Sequence, residues 1–131
     1  TIASSTPSAS MKNIADGLVP ADENDRSVPY FHWWPKQGTT EWITYTFQEP
    51  QQVQSATVYW YDDQPWGGCK VPESWNIEYQ DAQGQWQADC YPVKKGQPCT
   101  VHFTPVKTKV LRLNVKQPAK YSCGLFEWSV K

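Results

Sequence analysis

The chain has 131 residues, a net charge of −1 and a pI near 6.0, which suits one domain with a proper core. That balance gives no basic footprint for nucleic acid or an anionic membrane, and no apolar run approaches the ~20 residues of a spanning helix. Eight tryptophans exceed what one small core absorbs, so some rings are expected at a contact surface.

Thr1–Ser10 (TIASSTPSAS) is small, polar and Ser/Thr/Pro-rich, and reads as a flexible linker ahead of a folded module at residues 11–131. The expectation is a module cut from a larger polypeptide whose signal peptide lies elsewhere, with a merely disordered native tail as the alternative. Met11–Gln37 follows as a long irregular stretch rich in Asp, Asn and Pro. Loops of that length in a compact domain are generally functional or ordered by a metal.

From there apolar and polar residues alternate with period two. Ile43, Tyr45 and Phe47 share one face of Trp42–Phe47, and Ala56, Val58 and Trp60 share one face of Val53–Trp60. Trp75, Ile77 and Tyr79 repeat the pattern, as do Val101 and Phe103 around His102, then Leu111, Leu113 and Val115, and finally Phe126, Trp128 and Val130. Turns are expected at Gln48-Glu49-Pro50, Thr104-Pro105 and Lys116-Gln117-Pro118, and a hairpin at Asp81–Gly84. The pattern predicts an all-β, antiparallel β-sandwich of jelly-roll type.

The densest chemistry is in Tyr59–Pro72, YWYDDQPWGGCKVP. Aromatic rings beside fixed charges suit a sugar, whose C–H faces stack and whose hydroxyl edges form hydrogen bonds. Trp66, between Pro65 and Gly67-Gly68, is either an exposed stacking platform or a ring folded over the sandwich edge. Asp62 and Asp63 either accept from adjacent hydroxyls or close an Asx turn, while Lys70 is either a donor or a solvated lysine. Neighbours on an extended stretch point opposite ways, so one of Trp33 and Trp34 is core, and Trp34 is expected to be exposed. Tyr121 is a candidate for the rim. Four cysteines allow three pairings; Cys90–Cys99 and Cys69–Cys123 are favoured because each closes loops, which implies an oxidising, extracytoplasmic setting.

Asp16-Gly17, Trp33-Trp34, the strands at 42–47 and 53–60, the hairpin Trp75–Trp86 and the closing GLFEWSV occur in an order that resembles the discoidin, or factor V/VIII type C, family. The resemblance covers Met11 to Lys131. ADGLVPADENDRSVPYFHWWPKQGTTEW and YWYDDQPWGGCKVPESW are similar to galactose-binding-like carbohydrate-binding modules appended to extracellular glycoside hydrolases. It implies a discoidin-like jelly roll with one structural calcium. The implied ligands are Asp16, the carbonyl positions Asn13 and Leu18, Glu127 with the Phe126 carbonyl, and Asp25 or Ser27 in the lengthened Pro20–Phe31 region. It also implies a ligand site on loops at Trp34 to Lys36, Tyr61 to Lys70 and Lys120 to Gly124. The family's histidine, arginine and asparagine set for galactose is replaced here by Trp34, by Tyr61-Asp62-Asp63 and by Cys69-Lys70, so only the location carries over.

Catalysis finds no support in the residues. Adjacent Asp62 and Asp63 diverge, whereas hydrolases set two carboxylates across a bond, and no nucleophile, zinc or phosphate-loop motif occurs. The reading is a monomeric, secreted, non-catalytic glycan-binding module that targets a companion glycoside hydrolase domain to its polysaccharide or oligosaccharide, without nucleic acid or membrane insertion. A protein- or lipid-binding adhesion domain of the discoidin type is the alternative, although two aspartates beside Trp66 would repel an anionic membrane.

Overall fold

The alternating segments join into one continuous path of antiparallel strands. In the computed structural model every residue is described except Thr1 and residues 6–8, 23, 24, 26, 66, 82, 83, 90–92, 94 and 95, and for strand residues 80, 81 and 84–89 only the backbone is described. The strands are β1 (Ile2–Ser4), β2 (Phe31–His32), β3 (Thr40–Tyr61), β4 (Ser74–Asp81), β5 (Gly84–Asp89), β6 (Cys99–Lys116) and β7 (Gly124–Val130), with a short 3₁₀ turn at Met11–Ala15. Their order is β2-β7-β3-β6-β4-β5, and β1 adds to β3.

The two long strands make this path a sandwich. The first half of β3, Thr40–Thr46, lies between β1 and the last part of β6, which carries β4 and β5. Its second half lies between the first part of β6 and β7, which carries β2. Register shifts between Thr46 and Gln51, and again between Val53 and Ser55, mark where the ribbon passes from one layer to the other. Extra residues on one strand of a pair bend it and increase its twist. The turns expected at Gln48-Glu49-Pro50 and Thr104-Pro105 are therefore corners inside unbroken strands.

Between the layers, Ile43, Leu111, Leu113, Val115, Trp75 and Ile77 meet Val58, Trp60, Leu125 and Trp128, all buried in one cluster. Tyr45 crosses the gap. Its ring stacks on Trp128 at 4.0 Å and 11°, and its hydroxyl donates to the Trp128 carbonyl at 2.5 Å.

Within the segment expected to be a linker, Ile2, Ala3 and Ser4 instead form a strand and pair with Tyr45, Thr44 and Ile43. The physical reason is the fully buried Trp33. Its Nε1 donates to Ser4 Oγ (3.0 Å) and the Ser5 carbonyl (2.9 Å), so the Ser-rich segment supplies the acceptors that a buried indole N–H needs.

A second, smaller cluster forms on the outer side of the β3–β7 layer. A register shift between Tyr59 and Trp60 turns Phe126 outward there, where it joins Tyr59, Tyr61 and Cys69 beneath Val28 and Tyr30. The Tyr30 and Tyr61 rings stack at 3.8 Å and 6°, which fastens the long N-terminal loop to the sheet. Cys69 and Cys123, expected to pair, are free thiols. Cys69 bridges to Ser122, the chain neighbour of Cys123, without a bond between the sulfurs. The Cys90–Cys99 pairing lies outside the described residues.

Deleting residues 1–5 should lower Tm by several degrees. An orphaned buried donor costs roughly 1–3 kcal/mol, and the β3 edge would be bared as well. A thermal melt unchanged by the deletion would restore the linker reading.

Candidate functional site

Three loops converge beyond the ends of β3 and β7: residues 33–38, 62–70 and 117–123. Ser122 binds two of them, since its N–H donates to the Gly68 carbonyl (2.9 Å) and its carbonyl accepts from Lys70 N–H (2.9 Å). Its hydroxyl donates to the Lys36 carbonyl of the third loop. Gln117, 1% exposed, adds the remaining ties. Its Nε2 donates to the Lys36 carbonyl (3.1 Å) and Thr39 Oγ1 (3.0 Å), and its Oε1 accepts from Cys123 N–H (2.6 Å). The three loops are thereby held as one frame.

Within the acidic loop the two aspartates part ways. Asp62, expected at the ligand surface, is 2% exposed and closes the loop instead. Its Oδ1 accepts from Gln64 N–H (3.0 Å) and its Oδ2 from Val71 N–H (3.2 Å), which is the Asx-turn alternative. Tyr61, also expected there, is buried because Tyr30 covers its face. Asp63 is only partly buried. Its Oδ1 accepts from Cys69 N–H at 2.8 Å, while among the described residues its Oδ2 has only a long 3.5 Å contact from the Tyr61 hydroxyl.

Above this frame lies a pocket of about 300 Å³ lined by Tyr30, His32, Trp34, Asp63, Gly67, Gly68 and Cys69. Trp34 is 43% exposed. It presents a flat ring that rests in the space a side chain at 68 would fill, for a Cβ on Gly68 would sit 2.0 Å from its Cζ3. A Cβ on Gly67 would likewise lie 2.0 Å from Asp63 Oδ2. Both positions therefore need glycine for close approach. His32 is held by β2 against Gly124 of β7, and its buried Nδ1 has no hydrogen-bond partner. Burial lowers its pKa below the ordinary histidine value, against the opposing pull of the Asp63 charge, so the ring is neutral at pH 7 and has both a donor and an acceptor nitrogen.

Of the other sequence candidates, Lys36 is exposed and enters the frame through its carbonyl. Lys70 extends over the Tyr121 ring at 5.1 Å, and neither residue lines the pocket. Trp66 lies outside the described residues. Tyr30, His32, Gln117 and Ser122 were missed as site residues. The only available signal was the tyrosine and histidine placed two apart on an extended run ahead of Trp34. A larger hollow of about 530 Å³ at the β3 corner, lined by residues such as Phe47, Gln48 and Glu49, has a carboxylate but, among the described residues, no indole or imidazole beside it.

On the outer side of β7 a second constellation forms. Gly17 N–H donates to Glu127 Oε2 (3.1 Å), Leu18 N–H to Asp16 Oδ1 (2.9 Å) and Asn13 Nδ2 to the Tyr30 carbonyl (2.9 Å). Glu127 Oε1 is buried without a partner. Burial and then contact with the Asp16 carboxyl push the Glu127 pKa up to about 7. Asp25 and Ser27 are occupied in their own turn: Asp25 Oδ1 accepts from the Ser27 hydroxyl (2.5 Å) and N–H (2.9 Å), and Oδ2 from Ala21 N–H (2.9 Å). Among the described residues no group of three or more acidic, histidine or cysteine side chains converges on one point.

No protein-family model matches the chain. Solved structures match along nearly its full length. A solved chain of the Streptococcus pneumoniae β-galactosidase BgaA, similar in length to this one, superposes with a TM-score of 0.78 at 16% identity, over 98% of this chain and 89% of that one. The family 32 carbohydrate-binding module of Clostridium perfringens NanJ, solved with galactose, gives 0.67 at 13% identity over 99% and 91%. The chain has the fold of the galactose-binding-like carbohydrate-binding modules. A chitosan-binding module of a chitosanase/glucanase from Paenibacillus sp. IK-5 shares it, at 0.63 and 15% identity over 100% and 93%.

Gln117→Ala should cost roughly 2 kcal/mol, because it strands the Cys123 N–H and loosens the Lys36 loop at once. Denaturant unfolding checks this through the midpoint at constant slope.

Proposed function

We propose that this protein is a non-catalytic carbohydrate-binding module that holds a polysaccharide or oligosaccharide at the Trp34 pocket. The observation that carries the reading is a half-exposed indole beside a neutral imidazole and a carboxylate with one weakly engaged oxygen, all fixed on one rigid frame. A ring face, donors and acceptors are what a pyranose asks for, and the Cys69 thiol in the lining is pushed up to about 12 by burial and then by the Asp63 and Asp62 charges, which disfavours a thiolate nucleophile. The shared fold supports the reading, since relatives with it include modules solved with galactose and modules that bind chitosan. Tethered to a companion glycoside hydrolase domain in an extracytoplasmic setting, such a module raises the effective substrate concentration at that domain even when its own affinity is weak. Oxidation of the neighbouring Cys69 and Cys123 belongs to the same setting.

Trp34→Ala should weaken glycan binding roughly tenfold through lost stacking while leaving the melt unchanged, because the ring is outside the core. Calorimetry against a panel of plant and algal polysaccharides checks it, and equal affinity would remove Trp34 from the site.

The reading includes one structural calcium. The residues fit the ion: an orphaned buried carboxylate oxygen on Glu127 beside the Asp16 carboxyl is a place where a hard cation would relieve both. Asp16 and Glu127, with the carbonyls of Asn13, Leu18 and Phe126, would hold it. It would tie the N-terminal loop to β7 and supply no chemistry. Adding calcium to chelator-treated protein should raise Tm by several degrees, and Glu127→Gln should abolish that increment. An equal Tm with and without the chelator would remove the ion.

A further inference from the structure

The pocket carries an asymmetry of charge that bears on which sugar it takes. Among the described residues its lining includes one carboxylate, Asp63, and no lysine or arginine. The neutral His32 adds no compensating positive charge. The two oxygens of Asp63 are used differently. Oδ1 is committed to the Cys69 N–H at 2.8 Å, whereas among the described residues Oδ2 has only the 3.5 Å approach of the Tyr61 hydroxyl, too long to satisfy an ionised oxygen. Structural carboxylates such as Asp62, with each oxygen on a backbone N–H, show what a purely architectural role looks like in this same loop. Asp63 stands beside it with half of its accepting capacity unspent at the pocket wall. Gly67 keeps that oxygen's surroundings clear, because any side chain there would collide with it.

The geometry points to a hexosamine with a free amino group as the preferred occupant, its ammonium paired with Asp63 Oδ2 and its ring on Trp34. Asp63 is then the specificity-determining residue. A charge-assisted hydrogen bond is about twice as strong as a neutral one, while a uronate would bring its own carboxylate against Asp63 with no cation to offset it. An N-acetylated sugar keeps the donor N–H but loses the charge, and falls between. This inference rests on reading the pocket as a glycan site.

The test is calorimetry of the whole chain with glucosamine, N-acetylglucosamine and galacturonate oligomers of equal length. The expected result is glucosamine oligomers binding about tenfold tighter than either of the others, with an affinity that falls as NaCl rises from 50 to 500 mM. In Asp63→Asn, which retains an acceptor for the Cys69 N–H, the amine preference should vanish. The salt response of the unaltered protein carries the test if that variant melts early. Galacturonate binding as tight as glucosamine, a salt-independent amine affinity, or an amine preference surviving in a folded Asp63→Asn would each overturn the inference. Binding only to some neutral glycan would overturn it too, yet leave the glycan site intact; binding to no glycan at all would overturn both.

Discussion

The pairing of β3 with β6 is the constraint on which the rest of the molecule depends. Each strand runs through both layers, and they stay partnered from Thr40 and Lys116 to Val58 and Cys99 except at the corners. Every other strand reaches the sandwich by adding to one of these two or to a strand that does. The corners put Ile43 and Tyr45 opposite Val58, Trp60 and Trp128, and a single buried cluster holds both layers. Because those strands end together, their loops must emerge side by side at the Tyr61 end.

What those loops do there follows from the demand that buried polar groups be satisfied. Gln117 and Ser122 are buried polar residues. They meet that demand by collecting backbone groups from three separate segments. Asp62 does the same within its own loop. The result is a stiff rim on which Trp34, His32 and Asp63 have little freedom to move, and a preformed site spends less of its binding energy on ordering. Tyr30 stacked on Tyr61 seals the floor and carries the N-terminal loop, with Asp16, to the vicinity of Glu127.

Much of this was legible from periodicity. The strands around Ile43, Val58, Ile77, Leu113 and Trp128 alternate, and alternation reports burial on one face directly. The division between Trp33 and Trp34 follows from the same rule. The failures share a cause. Ser4 and Ser5 read as linker because their partner, the Trp33 indole, is 28 or 29 residues away. Tyr61 and Asp62 read as ligands because aromatic and acidic residues in a loop look the same whether they face solvent or are covered. Pro50 and Pro105 read as turns because proline signals a break without saying whether the chain reverses or merely bends.

By itself, then, the sequence determined the class of fold, the strands and the region where binding groups concentrate, since these depend on neighbours along the chain. Only the tertiary structure decided which of two adjacent aspartates has both oxygens on backbone N–H groups and which turns one toward the pocket, that His32 and Tyr30 join Trp34, and that Ile2–Ser4 belong to the sheet. Each of those outcomes depends on a contact between segments far apart in the chain, and local pattern carries no record of which distant group will arrive to fill a face or accept a proton.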